Sequence, residues 1–131
     1  MKSKILFLGL VFIFFLVTIN LLSKSVSKIT EDEKLLAITS IKEQSGVKDA
    51  AIEQENEEVS LAIIVEYGTS KERAKELGEN FVRLVKTFSQ DVNPEKEIGR
   101  GIYDYLIGVY YPNNKEIVMG AKASIARSIT W

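Results

Sequence analysis

Eighteen consecutive residues, Ile5–Leu22, carry no charge, and only Gly9, Thr18 and Asn20 interrupt their apolar side chains. A helix of that length rises about 27 Å, close to the hydrocarbon thickness of a bilayer. Phe7, Phe12, Phe14 and Phe15 are spread around it, so the polar face of an amphipathic helix is missing. Lys2 and Lys4 precede the run. Residues 1–22 are therefore expected to enter a membrane, as an uncleaved signal anchor or as a signal peptide. A cleavable leader has a shorter apolar run, of about 7–15 residues, ending at small residues. Ser25-Val26-Ser27 is the one fair cleavage pattern here, and it lies well past the run, which favours the anchor. Lys24 and Lys28 on the far side leave only a small positive-inside bias. With so short a tail ahead of the span, export of the C-terminal part is the simpler topology. The sequence thus predicts a single-pass cell-membrane protein with its C-terminal domain outside the cytoplasm, secreted if the leader is cleaved.

The 131 residues leave room for one modest domain beyond that segment. Cysteine and histidine are both absent. This excludes a disulfide framework, a thiol nucleophile, a Cys/His zinc site and imidazole chemistry. Seventeen basic residues against eighteen acidic ones give a net charge of −1, which argues against a protein that covers nucleic-acid phosphates. No cofactor and no metal is expected.

Residues 23–29 alternate Ser23, Ser25 and Ser27 with Lys24, Val26 and Lys28, and read as a solvated tether. Residues 30–131 form the expected domain. Thr30 and Glu33 match a capping box, followed by Leu35, Leu36, Ile38 and Ile41 at helical spacing and Gly46 as a stop. Residues 47–54 give a weak strand signal, and Glu55–Glu58 a polar turn. Val59, Leu61, Ile63, Val65 and Tyr67 alternate strictly, with Ala62 and Ile64 between them, as in a central strand covered on both sides. Thr69 and Glu72 repeat the capping-box spacing. They open a helix with an apolar stripe of Ala74, Leu77, Phe81, Leu84, Val85 and Phe88, and with Lys86 among the residues of its solvent side. A polar loop over 91–101 contains the Asn93-Pro94 turn signal. Tyr103, Tyr105, Ile107, Val109 and Tyr111 alternate, Pro112–Asn114 turn, and Ile117, Met119, Ala121 and Ala123 alternate back as a hairpin. The tail from Ser124 to Trp131 fits either a strand extension or a short docked helix. The fold expected is α+β: an N-terminal transmembrane or signal helix, then an αββαββ domain with a mostly antiparallel four-stranded sheet and both helices on one face.

Several residues are candidates for chemistry. The acidic run Glu53, Glu55, Glu57 and Glu58 lacks calcium-loop spacing and reads as a solvated hairpin tip. Asp104 and Glu66 lie in or beside apolar strands, where burial raises a carboxyl pKa, and are the best acid–base candidates. Gly99, Arg100 and Gly101 suit an anion-binding loop but lack the flanking residues of a P-loop. Among the tyrosines, Tyr110 and Tyr111 point to opposite strand faces. With Trp131 they are the candidate binding surface. Ser124 and Ser128 have no lysine at dyad spacing.

The expected role is a membrane-anchored, extracytoplasmic, non-enzymatic domain for protein–protein interaction or envelope assembly. Its partners would be the membrane through residues 5–22, and another envelope protein or a second copy. The alternatives are a small secreted carboxylate hydrolase using Asp104 or Glu66, and a surface sensor of a ligand or ion using Gly99–Gly101.

Overall fold

The computed structural model describes residues 27–91 and 98–131. Helix α1 spans Glu31–Lys42, followed by β1 (Val47–Glu55), β2 (Glu58–Val65), helix α2 (Lys71–Phe88), β3 (Asp104–Tyr110) and β4 (Glu116–Lys122). The capping box at α1 is formed: Glu33 N donates to Thr30 Oγ1 at 3.1 Å, and Thr30 N to Glu33 Oε1 at 2.8 Å. At α2 the cap falls one residue later than the spacing suggests. Ser70 Oγ accepts from Arg73 N at 3.1 Å, while the Thr69 hydroxyl donates back to Glu66 O at 2.7 Å. The Asn93-Pro94 turn lies outside the described residues.

The sheet order is β1-β2-β3-β4. Each hairpin is antiparallel, but β2 and β3 run parallel, with Glu58 opposite Asp104 and Ile64 opposite Tyr110. The expected mostly antiparallel sheet is corrected to a mixed one. Two hairpins in tandem are antiparallel only within themselves, and what joins them sets the central pair. An 18-residue helix rises about 27 Å. That nearly equals the span of about 26 Å covered by the eight residues of β2. Helix α2 therefore carries the chain back to the end where β2 began, and β3 starts alongside it as a crossover strand.

Both helices lie on one face. Ala37 and Ile41 of α1 and Ala74, Leu77, Phe81, Val82 and Val85 of α2 share one core with Ile52, Leu61, Ile63, Ile107 and Val109. The stripe read from the sequence thus buries, but α1 engages less than its leucines suggest. Leu35 and Leu36 remain 62% and 51% exposed. The opposite face has only a small cluster of Ala62, Ile64 and Tyr110. Tyr110 lies across its own strand, so that a Cβ at Gly108 would meet its ring carbons at 2.8 Å. The tail makes no helix. It turns after Ala123 and returns antiparallel to β4, where Ala121 and Thr130 exchange two backbone hydrogen bonds of 2.9 Å.

The anchor expected at residues 5–22 falls outside the described residues. Among the described residues no helix is long and apolar enough to cross a membrane. The described part is an α+β domain of two helices and a four-stranded mixed sheet. The reading of a single-pass, extracytoplasmic protein for envelope assembly is corrected to that domain. Its membrane, envelope-protein and self-association partners go with it, because they rested on a span that no described helix supplies.

Lys86 departs most from the sequence reading. Placed on the solvent side by periodicity, it is fully buried with Asp91, and Lys86 Nζ stands 3.3 Å from Asp91 Oδ2. The ammonium also donates to Arg100 O at 3.1 Å. Asp91 accepts from the Tyr105 hydroxyl at 2.9 Å and from Ile102 N. Gly101 packs directly on the pair: a Cβ there would lie 2.5 Å from Asp91 Oδ1 and would also collide with Lys86 Nζ. Breaking a buried pair by removing one partner strands the other charge, at a cost of about 3–5 kcal/mol. Lys86→Met is therefore expected to lower the unfolding free energy by about that amount in urea melts. A loss under about 1 kcal/mol would mean that the pair contributes no more than an exposed one.

Candidate functional site

The structure spreads the expected binding residues over both faces of the sheet. Tyr110 is 3% exposed and belongs to the cluster on the helix-free face. Burial pushes its hydroxyl up to about 12, with the Glu116 charge adding to the effect. Tyr111 is half-buried on the other side, stacks on Tyr67 at 5.9 Å and donates its hydroxyl to Thr69 O at 2.8 Å. Trp131 packs on the helix side between α2 and β4. A Cβ at Gly78 would meet its Cη2 at 2.6 Å, and one at Gly120 its Cε3 at 2.6 Å. Two glycines, one on each element, thus make the slot that the indole fills. No shared tyrosine–tryptophan platform results.

At the Gly99–Gly101 loop, both glycine amides have backbone partners. Gly99 N donates to Arg127 O at 3.3 Å and Gly101 N to Ser124 O at 2.9 Å. The Arg100 carbonyl accepts from Lys86. The loop is stitched to the tail through both glycine amides, while the Arg100 residue is exposed.

The carboxylates divide similarly. Glu66 is exposed just beyond β2. Asp104 Oδ1 accepts from Ser124 N at 2.7 Å, fixing the start of the tail. Its register neighbour Glu58 carries a raised carboxyl pKa, first through burial and then through the Asp104 charge. Glu58 Oε1 is buried without a hydrogen-bond partner among the described residues. Sequence reading placed Glu58 in a solvated tip; it was the parallel register, legible only in three dimensions, that set it beside Asp104. The other acids of the run, Glu53, Glu55 and Glu57, surround the β1–β2 turn. Among the described residues, no group of three or more Asp or Glu is placed to hold a metal ion.

A groove of about 270 Å³ lies between the start of α2 and the outer edge of β4, lined by Lys71, Lys75, Glu116, Ile117, Val118, Met119 and Trp131. Lys71 and Lys75 stand four residues apart on one helix face, at the positive end of the helix dipole. Neither forms a salt bridge among the described residues, unlike Arg73 and Arg83, which pair with Glu76 and Glu79. Two like charges held together at that end cost stability unless an anion joins them. The groove's floor is strand edge. Ala121 turns both its N–H and C=O outward to Thr130, so alternation turns those of Met119 outward as well, where no described residue bonds to them. The sequence signalled Trp131 but not the lysines, which look like any solvent-facing pair until β4 is set beside them.

No family model, no curated protein and no solved structure matches the chain.

The tyrosines yield a pH test. Tyr103 and Tyr105 are also raised by burial and by the Asp91 charge. A hydroxyl whose folded pKa is raised contributes stability below its unfolded value near 10 and loses it as pH climbs through the folded value. Lys122 acts oppositely: burial and the Lys86 charge lower its pKa, so its penalty lifts as pH rises towards 10.5. Above that value only the tyrosine effect remains. The urea midpoint is expected to fall between pH 10.5 and 12, with Tyr110 ionising late in a tyrosinate absorbance titration. A midpoint that stays level across this interval contradicts the assignment.

Proposed function

We propose that this chain is a non-enzymatic binding domain that takes an anionic ligand into the groove beside Trp131. The observation that carries the reading is the convergence on one concavity of one indole with two lysines and a strand edge that have no partner among the described residues. Each element supplies something different. Lys71 and Lys75 give charge without a rigid fork, suiting a carboxylate held by attraction more than by fixed geometry. Trp131 gives a large, pre-seated apolar surface at little entropic cost, since its slot between Gly78 and Gly120 already holds it. Glu116 at the far end sets a limit by repelling a second negative charge there.

The non-enzymatic part is supported by how the other polar groups are used. Asp104 ties the tail, Asp91 ties the α2–β3 connection, and both glycine amides of the 99–101 loop bond to backbone. Of the residues read from the sequence as binding candidates, Trp131 is the one whose position serves this reading.

Trp131 is the only tryptophan in the chain, so its fluorescence reports on the groove alone. Glutarate added to the full chain is expected to change that emission saturably, with weaker binding at higher salt. Lys71→Ala with Lys75→Ala is expected to weaken glutarate binding at least about tenfold, or about 1.4 kcal/mol, without lowering the melting temperature. Binding that is unaltered by the double substitution would rule out the lysines as the anion site.

A further inference from the structure

Resting on the reading of this groove as an anion site, we infer that its ligand is an extended acidic peptide, added to β4 as a strand in line with Thr130. The pairing has already begun in the protein itself. Thr130 exchanges two hydrogen bonds of 2.9 Å with Ala121, and no other residue of the tail bridges to β4. The next outward-facing pair of groups, on Met119, has no backbone partner among the described residues. An edge with unpaired N–H and C=O groups is a template for strand addition, in which backbone bonds supply affinity and alternate side chains supply specificity.

Register then fixes the side-chain chemistry. Gly120 and Val118 point to the helix side, and the indole of Trp131 covers Gly120 there. A peptide residue opposite Val118 would therefore direct its side chain into the space beyond the indole, where Lys71 and Lys75 stand. A carboxylate fits that position. The residue opposite Met119 would point to the other face, beside the half-buried Met119 and Leu106, and an aliphatic side chain fits there. The recognised pattern is an aliphatic residue followed by an acidic one, in extended form. The charge rule applies to one residue only, because Glu116 lies at the end of the same groove.

The test uses the full chain, Trp131 emission and three blocked pentapeptides: Ac-Ser-Val-Glu-Val-Ser-amide, its analogue methylated on both valine nitrogens, and its glutamine analogue. The parent peptide is expected to bind at least about tenfold more tightly than glutarate, and each analogue to lose at least about tenfold. Methylation removes the N–H that would reach Met119 while leaving charge and side chains in place. If glutarate binds and the methylated peptide binds as well as its parent, strand addition is overturned and the anion site survives. If the glutamine analogue matches the parent, the acidic requirement is overturned. If neither glutarate nor any peptide alters the emission, the anion site itself fails, and this inference with it.

Discussion

The ion pair between Lys86 and Asp91 closes the connection on which the topology rests. Lys86 sits in the last turn of α2, Asp91 just past it, and together they grip the chain as it arrives at β3 through Arg100 O, Ile102 N and the Tyr105 hydroxyl. A parallel pair of strands requires a long crossover, and the closure entropy of that crossover must be met before any ladder bond forms. Here both ends of the connection are joined by charge-assisted bonds in a site that excludes water. Buried pairs are weak sources of net stability, since desolvation offsets most of their attraction. Their value here is positional: few alternative packings satisfy a lysine, an aspartate and a tyrosine in the same small volume, with a glycine as the only residue that fits above them.

From that closure the remaining arrangement follows. Fixing the start of β3 beside β2 places Tyr105 and Lys122 in register at the bottom of the sheet and sends β4 to the outer edge. The tail leaves β4 through Ser124, whose N–H is held by Asp104 and whose carbonyl is held by Gly101. It is then directed back along the edge, so that Trp131 drops into the slot between Gly78 and Gly120. The groove next to it is thus built from parts of α2, β4 and the tail, and α2 is far in sequence from the other two.

Local signals in the chain were informative where the physics is local. The Thr30–Glu33 capping box, the alternation from Val59 to Val65 and the turn after Tyr111 each depend on residues within a few positions, and each is present. The readings that changed depend on distance. Leu35 and Leu36 look like core by spacing, yet Ala37 and Ile41 are the residues that bury, with Ile38 partly buried beside them, because α1 packs on α2 and the edge of β1 and on little else. Lys86 looks like surface by spacing. It is buried because Asp91 and Arg100 come to meet it from beyond the helix.

Residue identity and short-range periodicity set the order of elements, the two hairpins, the helix stripe that had to cover a sheet, and the lack of thiol and imidazole groups. They did not determine the direction in which one hairpin lies against the other, nor where the lysines of α2 stand relative to the edge of β4. Those were decided by tertiary structure alone. Strand direction depends on the return path of a helix, and a groove depends on surfaces brought together from positions about fifty residues apart. No pattern within a window of a few turns encodes either one.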